Sequence, residues 1–258
     1  MSRLLETKEL TKRFGGLVAV NEVDFCISEG ETVGIIGPNG SGKTTFFNLI
    51  SGFFPPTRGS ITFLDHDITR LWPEQRVSLG IGRTFQLVSV FDSLKVWENL
   101  VLCVARMAEE KLSPFAFMTK PRSNRMIRDK CLEALKLVGL EAASELTTAA
   151  LSYGSKRMLE IAISLSLRPK LLLLDEPFAG LSDDEINEVL SLLHRVKKNF
   201  TLIIVEHKIS RIVDIVERMY VMNEGHIICT GSPADVLKNP EVQECYWGKE
   251  APENEEII

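Results

Sequence analysis

Residues 37–44 read GPNGSGKT, and this segment constrains the fold of the chain more than any other. It fits the pattern G-x-x-x-x-G-K-[ST], in which glycines let the backbone turn tightly so that successive N–H groups point at phosphate oxygens. Lys43 then supplies a point charge for the β- and γ-phosphates, and the Thr44 hydroxyl is a ligand for Mg²⁺. The predicted ligands are therefore ATP and Mg²⁺. The predicted phosphate-binding residues are Gly37, Pro38, Asn39, Gly40, Ser41, Gly42, Lys43, Thr44 and Thr45.

The residues on either side of the motif support this interpretation. The apolar residues 33–36 before it predict a buried strand, and residues 45–50 after it predict a helix. A strand, a loop and a helix in that order form the context that a phosphate-binding loop requires. The alternative is a glycine-rich turn that matches the pattern by chance. It explains neither this context nor the acidic motif found further along the chain.

Composition limits the class of protein. The chain has 258 residues and a net charge of −5, which gives no electrostatic case for binding nucleic acid. Its five cysteines are scattered without a C-x-x-C pair, so we expect neither a disulfide framework nor a zinc site. No apolar run reaches the roughly 18 residues needed to span a bilayer, and the N-terminus lacks the pattern of a signal peptide. We therefore expect a cytosolic protein that acts at a membrane only through partners.

The hydrophobic pattern predicts an α/β fold with a helical insertion. Residues 4–14 and 17–27 alternate polar and apolar positions, which favours an antiparallel β region. From about residue 97 to 167 the pattern is helical, apart from a polar, proline-containing stretch at 112–123 that we expect to loop out. Further strands are expected at 60–64, 170–174, 201–205, 219–222 and 226–230, and a further helix at 183–198.

A second motif, LLLLDE at residues 171–176, follows the helical region. In a parallel sheet, ligands bind beyond the carboxyl ends of the strands, which places Asp175 near the glycine-rich loop. Its carboxylate is there a candidate ligand for Mg²⁺. Glu176 is the candidate general base for the water that attacks the γ-phosphate. Without the glycine-rich loop, a solvated acidic pair at the end of a strand would be the better interpretation.

Three weaker signals occur in a consistent order. Gln86 lies in GRTFQ where the core gives way to the helical region, LSYG at 151–154 begins a helix, and His207 ends an apolar strand. Each is weak alone, because a lone histidine after a strand is usually structural. Chance is nevertheless a poor explanation for this order, in which the glycine-rich loop comes first and the acidic motif precedes the histidine.

Taken together, these motifs resemble the ATP-binding subunit of ABC transporters, from about Leu5 to Gly248. The resemblance implies a single cassette over residues 1–248. Residues 1–90 and 168–248 would form a P-loop NTPase core with an antiparallel β subdomain, and residues 91–167 an inserted all-helical signature subdomain. We expect residues 249–258 to be an acidic, mobile tail.

The resemblance also implies roles for single residues. Phe14 would stack on the adenine ring, Gln86 would reach the Mg²⁺ and the attacking water, and His207 would contact the γ-phosphate. The implied catalytic residues are Glu176, His207 and Gln86. The implied metal ligands are Thr44, Gln86 and Asp175.

Ser152 and Gly154 are similar to the signature residues of the family, which bind the γ-phosphate held by the opposite subunit. Family signatures commonly read Leu-Ser-Gly-Gly-Gln, whereas this chain has Tyr153 at the first glycine and Ser155 at the glutamine. The contact needs the Ser152 hydroxyl, a backbone at Gly154 that the phosphate can approach closely, and the positive end of the following helix. All three are present in this chain. Residues 179–183 resemble the segment that communicates between the two sites.

Within the family, the sequence is most similar to the branched-chain amino acid (Liv-type) importer ATPase with the longer helical insertion. The similarity lies in RTFQ at 83–86, YGSKRMLEIA at 153–162 and YWG at 246–248, and in the long stretch before residue 126. Urea-type importers share much of this pattern. An assembly ATPase with soluble partners, of the iron–sulfur scaffold type, is an alternative of another class, although SKR at 155–157 does not match the acidic, lysine-rich signature of those proteins.

The importer interpretation implies a set of partners and a location. The chain would pair with a second ATPase subunit, either a copy of itself or a similar paralogous subunit. It would be held at the cytoplasmic face of the cell membrane by integral permease subunits, and a solute-binding protein would complete the system. No nucleic acid is expected among the partners.

Four of the five residues at 87–91 are apolar, which phosphate contacts do not require. We therefore expect at least one of Val88, Val90 and Phe91 to line a groove that receives a helix of a membrane subunit. The alternative is that all three pack in the core.

Overall fold

An antiparallel sheet forms the amino-terminal part of the computed structural model, which describes residues 3–86, 88–108 and 125–247. Strands β1 (Arg3–Phe14) and β2 (Leu17–Ser28) form a hairpin, and β4 (Arg58–Phe63) and β5 (His66–Asp67) extend it. The spatial order is β2-β1-β4-β5. The apolar side chains of this sheet are buried in a core that they share with the helix after the glycine-rich loop.

A second, mostly parallel sheet runs through the centre of the molecule. Its strands are β3 (Thr32–Ile36), β6 (Ile81–Arg83), β7 (Leu171–Asp175), β8 (Thr201–Val205), β9 (Arg218–Asn223) and β10 (His226–Gly231). The spatial order is β10-β9-β3-β8-β7-β6, and every neighbouring pair is parallel except β9 and β10. The carboxyl ends of β3, β8, β7 and β6 therefore lie along one edge.

The central strands β3, β7 and β8 are buried at every position, which explains their nearly uninterrupted apolar sequences. Because successive side chains point to opposite faces, each strand feeds two cores. Ile35 packs with the antiparallel sheet, whereas its neighbour Ile36 packs with the helices on the other face. The sheet is thus held between two apolar layers.

Helices surround this sheet. They are α1 (Lys43–Ser51), α2 (Pro73–Leu79), α3 (Val96–Ala108), α4 (Arg125–Leu137), α5 (Tyr153–Ser166), α6 (Asp183–Val196), α7 (Pro233–Lys238) and α8 (Pro240–Trp247). Helices α3, α4 and α5 pack against one another. Helix α6 begins with a capping box, because the Ser182 hydroxyl accepts from the backbone N–H of Glu185 and the Glu185 carboxylate accepts from the backbone N–H of Ser182.

The predicted fold class is confirmed, and the predicted strands are found within two residues of their expected ends. Sequence reasoning missed β5, β6 and helices α2, α7 and α8, all of which are eight residues or shorter. The expected loop at 112–123, the residue Leu87 and the acidic tail at 249–258 lie outside the described residues. In the described part of the chain, no helix is both long enough and apolar enough to cross a bilayer.

Candidate functional site

The glycine-rich loop, Asp175, Gln86 and His207 come together at one edge of the central sheet. Strand β3 leads into Gly37, β7 ends at Asp175, β8 is followed by His207, and β6 is followed three residues later by Gln86. These four strands are parallel neighbours, so their carboxyl ends lie side by side. This is the edge at which open α/β sheets bind ligands.

The glycine-rich loop keeps its shape only with glycine at two positions. Gly37 has φ 151° and Gly42 has φ 102°, a region that side-chain-bearing residues rarely adopt. A Cβ at Gly37 would also overlap the carbonyl of Met222, and one at Gly42 the carbonyl of Ala19. Gly42 is the residue before α1, and within the described part of the chain no side-chain hydrogen bond caps that helix. These N–H groups are therefore available to an anion.

A cavity of about 460 Å³ opens in front of this loop, a size typical of small-molecule sites. Its walls come from the loop, the start of β2, the turn between β9 and β10, and Glu176. The lining residues are Leu17, Val18, Ala19, Asn39, Gly40, Ser41, Gly42, Lys43, Thr44, Thr45, Glu176, Glu224 and Gly225. Backbone N–H groups and one ammonium thus face Glu176 across a space that fits phosphates.

The Lys43 ammonium is held inside the loop. Its Nζ donates to the carbonyls of Gly37 at 2.7 Å and Pro38 at 2.9 Å, and lies 3.4 Å from the Ser41 hydroxyl. Burial lowers the pKa of Lys43, while nearby carboxylates, chiefly Glu176, oppose that shift.

Asp175 is buried, and only one of its two carboxylate oxygens has a hydrogen-bond partner among the described residues. Its Oδ2 accepts from Arg83 Nη2 at 2.9 Å, and Oδ1 has no hydrogen-bond partner among the described residues. Burial raises the pKa of Asp175, and the guanidinium of Arg83 opposes that shift. A buried carboxylate oxygen without a partner is suited to a hard cation, since such cations take oxygen ligands.

Around Asp175 the described residues contain no group of three or more His, Cys, Asp or Glu side chains that could enclose a metal ion. A cation that keeps several waters and binds one or two protein oxygens plus phosphate fits this arrangement better than one that needs a complete protein cage. The exposed Thr44 hydroxyl, at the start of α1, is a second oxygen donor at the same edge.

Gln86 and Glu176 contact each other directly. Gln86 Nε2 donates to Glu176 Oε2 at 3.0 Å. Glu176 has φ 45°, in the left-handed region, and its backbone N–H donates to the carbonyl of Val205 at the end of β8. This unusual backbone conformation turns the Glu176 side chain toward the cavity, and strained positions of this kind cluster at functional sites.

His207 is partly exposed and lies beside a carboxylate that sequence reasoning missed. Glu206 is fully buried, its Oε2 accepts from the His207 backbone N–H at 3.2 Å, and its Oε1 has no partner among the residues described. Burial raises the pKa of Glu206 to about 7, although Arg211 opposes the shift. Its charge at the end of an apolar strand was the only sequence signal.

A buried ion pair between Arg157 and Glu160, which sequence reasoning also missed, connects the Gln86 loop to helix α5. The fully buried Arg157 donates to the backbone carbonyls of Phe85 at 2.6 Å and Gln86 at 2.7 Å, and to the Glu160 carboxylate at 2.8 Å. Glu160 in turn accepts from the Phe85 backbone N–H at 3.0 Å. Charged residues three positions apart on an otherwise apolar helix face were the available signal.

Ser152 and Gly154 lie at the start of α5. The Ser152 hydroxyl caps the helix by accepting from the Ser155 backbone N–H at 3.1 Å. The Gly154 N–H donates to Oε1 of Glu185, at the start of α6. Neither Ser152 nor Gly154 is among the described residues that line the cavity at the glycine-rich loop.

Phe14 is the last residue of β1 and is partly exposed. Its side chain is 46% exposed, and its ring meets that of Phe54 edge-to-face with centroids 5.3 Å apart. The Lys12 ammonium lies 5.1 Å from the Phe14 centroid. An exposed, laterally fixed ring is a suitable platform for a flat heterocycle.

Comparisons with known proteins agree with this geometry. A family model described as ABC transporter matches residues 20–179. The high-affinity branched-chain amino acid transport ATP-binding protein LivG of Escherichia coli (strain K12) is 37% identical over 252 residues, which covers 95% of this chain and 98% of LivG.

Solved structures show the same fold. A nucleotide-free ATP-binding cassette from an ABC transporter superposes with a TM-score of 0.84 and 29% identity, covering 96% of this chain and 100% of the other. A dimeric bacterial ABC transporter cassette superposes with a TM-score of 0.76 and 25% identity, covering 89% of this chain and 99% of the other.

Proposed function

The chain belongs to the ABC transporter family of ATPases, and we propose that it is the ATP-hydrolysing subunit of a membrane importer for branched-chain amino acids. One observation carries the proposal. The glycine-rich loop, Asp175, Glu176, Gln86 and His207 meet at one sheet edge in a chain that matches LivG over nearly its whole length.

ATP would enter the cavity with its phosphates on the N–H groups of residues 37–45. Lys43 Nζ would exchange its loop carbonyls for β- and γ-phosphate oxygens, which accept stronger, charge-assisted hydrogen bonds. The adenine ring would stack on the exposed face of Phe14. Phe14 is not among the described residues that line the cavity, so the base would extend beyond the cavity to reach this ring.

Mg²⁺, when bound, would neutralise charge on the β- and γ-phosphate oxygens. The free Oδ1 of Asp175, the Thr44 hydroxyl and the Gln86 side chain would hold it. Arg83 keeps the other Asp175 oxygen occupied, so that only one oxygen of this carboxylate is presented to a ligand.

Glu176 would take the proton from the attacking water. Its Oε2 already accepts from Gln86 Nε2, which fixes the carboxylate beside the cavity and holds Gln86 within reach of the same water. His207 would donate to the γ-phosphate from the end of β8. The Arg157 contacts would keep the Gln86 loop in place during this step.

A second cassette would complete each site. Ser152 and Gly154 present a hydroxyl and an N–H at the start of α5, and these groups would meet the γ-phosphate bound by the partner. The similarity to a dimeric cassette supports pairing of this kind. In this assignment one chain supplies the phosphate loop of one site and the signature of the other.

Permease subunits would hold the protein at the cytoplasmic face of the membrane. Phe91 follows the Gln86 loop and is 60% exposed, whereas Val90 packs against the core. Phe91 is therefore the residue of this stretch that we assign to a permease contact. A solute-binding protein would deliver the amino acid to the permease.

Uptake and co-purification together test the proposal. In cells that lack this chain, leucine uptake should be restored by the wild-type protein and by Lys170→Ala, a change of an exposed lysine at the opposite end of β7, but not by Lys43→Ala. Affinity purification from membranes should recover multi-span proteins. Recovery of soluble proteins alone, with normal leucine uptake in the deleted cells, would overturn the transport assignment.

A further inference from the structure

The carboxylate of Glu185 occupies the signature of its own chain. Glu185 is the third residue of α6, and its Oε1 accepts from the Gly154 N–H at 3.0 Å and lies 3.3 Å from the Ser152 hydroxyl oxygen. Its Oε2 accepts from the backbone N–H and the hydroxyl of Ser182, each at 3.1 Å. One side chain therefore joins the starts of α5 and α6.

The Glu185 carboxylate fills the space beside Gly154. A Cβ added there would overlap the Glu185 carboxylate and would lie 2.7 Å from its Cγ. The backbone φ of Gly154 is not in the left-handed region, so the turn itself does not demand glycine. A side chain at residue 154 would therefore have to displace the end of the Glu185 side chain.

The group at this position is an anion. Hydrogen bonds from the backbone N–H groups of Ser182 and Gly154 lower the pKa of Glu185, so the side chain is a carboxylate at neutral pH. A carboxylate oxygen and a phosphate oxygen seek the same donors: a hydroxyl, a backbone N–H and the positive end of a helix. Glu185 already contacts the Ser152 hydroxyl and the Gly154 N–H at the start of α5.

This contact conflicts with the proposed function, on which the present inference rests. The Gly154 N–H has one proton to donate, and two anions cannot share it without repulsion. We propose that Glu185 is a built-in competitor for the γ-phosphate of the partner subunit, a second copy of this chain. Two copies can close around ATP only when each Glu185 leaves the Gly154 N–H, and this displacement weakens the ATP-bound dimer.

Release of Glu185 also has a consequence within its own chain. The same carboxylate holds Ser182, which ends the segment 179–182 that follows Glu176. When the partner's phosphate displaces Oε1, the tie between α5 and this segment is lost. Arrival of the partner's nucleotide would thereby loosen the segment next to Glu176 in the opposite site.

A simpler role makes the opposite prediction. If Glu185 only keeps the signature in shape, removing its contact should weaken the ATP-bound dimer. If Glu185 competes with the phosphate, removing the contact should strengthen that dimer. The sign of the change in dimer affinity therefore decides between them.

Three variants separate contact from charge. Glu185→Gln removes the charge and weakens the contact, and Glu185→Asp keeps the charge on a side chain too short to reach Gly154. The matched control is Asp184→Asn, since Asp184 is exposed in the first turn of the same helix and its loss removes one charge while leaving Glu185 in place. Each is made in the Glu176→Gln background, so that bound ATP persists.

Sedimentation with saturating ATP and Mg²⁺ measures the dissociation constant of the dimer. We expect Glu185→Gln and Glu185→Asp to lower it about tenfold, which corresponds to about 1.4 kcal/mol, and Asp184→Asn to leave it within about twofold. ATP affinity of the monomer should not change, because Glu185 does not line the described part of the cavity at Lys43. The melting temperature should fall slightly in both Glu185 variants, because the α6 cap is weakened.

A less stable protein that dimerises more tightly has no explanation in a purely structural role. An unchanged or weaker dimer in both Glu185 variants overturns the inference, as does an equal gain in Asp184→Asn, which would indicate long-range charge. If Glu185→Gln fails to fold, Glu185→Asp decides by the same criterion. If the Glu176→Gln parent stays monomeric with ATP, self-pairing is wrong and the inference falls with it; a parent that dimerises normally confines any failure to Glu185.

Discussion

Arg157 Nη2 donates to the backbone carbonyl of Gln86 at 2.7 Å, so a residue on helix α5 holds the loop that carries Gln86, the side chain that we propose orients the attacking water. The same guanidinium also binds the carbonyl of Phe85 and the carboxylate of Glu160. Three acceptors on one planar, buried cation fix their relative positions. Helix α5 and the Gln86 loop should therefore move as one unit when a partner subunit approaches.

The first prediction is that Arg157→Lys slows turnover without affecting ATP binding. Lysine keeps the charge near Glu160 but cannot reach both carbonyls, so Gln86 loses about one charged hydrogen bond, worth about 1.5 kcal/mol. We expect kcat of ATP hydrolysis to fall about tenfold and KM to stay within about twofold. Steady-state kinetics measures both. Arg168→Lys is the control, since its pair with Glu133 is exposed. Equal kinetics in the two variants would contradict a positioning role for Arg157.

The second prediction concerns Glu176→Gln. The amide keeps the size of the side chain and its contact with Gln86 but loses the base, so hydrolysis should fall about a hundredfold or more while ATP stays bound. The bound nucleotide should stabilise a dimer, because a ligand shared by two subunits favours association by linkage. Phosphate release and sedimentation with and without ATP measure the two effects. Glu188→Gln, on the exposed face of α6, should behave as wild type. Hydrolysis at the wild-type rate in Glu176→Gln would refute the base.

The third prediction is a pH dependence of stability caused by Glu206. Its pKa is about 7 in the folded protein and 4.5 ordinarily, so between these values the unfolded chain has released the proton and the folded chain has not. The contribution of Glu206 to the free energy of unfolding therefore falls as pH rises through this window and is constant above it. Glu206→Gln should be more stable than wild type by about 3 kcal/mol near pH 8 and by little near pH 4.

Urea unfolding of both proteins across this pH range tests the Glu206 prediction. A stability difference that does not change with pH would show that Glu206 is not the titrating group. Glu188→Gln again provides the control. Glu188 is exposed on α6, so its replacement removes no desolvation cost from the folded state.

The fourth prediction separates docking from packing in the stretch after Gln86. Val90 packs against the core and Phe91 is largely exposed. Val90→Asp should lower the melting temperature sharply, because it places an unpaired charge among apolar groups. Phe91→Asp should leave stability and basal ATPase activity intact while leucine uptake and membrane co-purification fail. Normal uptake by the Phe91→Asp protein would remove this residue from the permease contact.

The phosphate loop could be predicted because its chemistry and its backbone geometry lie in one continuous segment, residues 37–44. Strands β3, β7 and β8 could be predicted for a related reason, since burial on both faces makes each an apolar run. Strand β6 could not be predicted, because its three residues become a strand only by pairing with β7. Local sequence carries no sign of that pairing.

The contacts made by Arg157 and Glu185 were also beyond the sequence. Arg157 binds carbonyls 71 and 72 positions earlier in the chain, and Glu185 binds an N–H 31 positions earlier. The acidic residues 183–185 favour the start of a helix, and this is the part of the role of Glu185 that depends on neighbouring residues. No helix periodicity or motif spacing specifies which distant backbone group a charged side chain will meet.

The Lys43 ammonium has partners within its own loop, and this bears on the free-energy cost of binding a nucleotide. When no phosphate is bound, the carbonyls of Gly37 and Pro38 accept from this ammonium and hold it inside the loop. An incoming phosphate then has to replace these hydrogen bonds, but it meets a side chain that is already ordered. The entropy cost of ordering that side chain is therefore not added to each binding event.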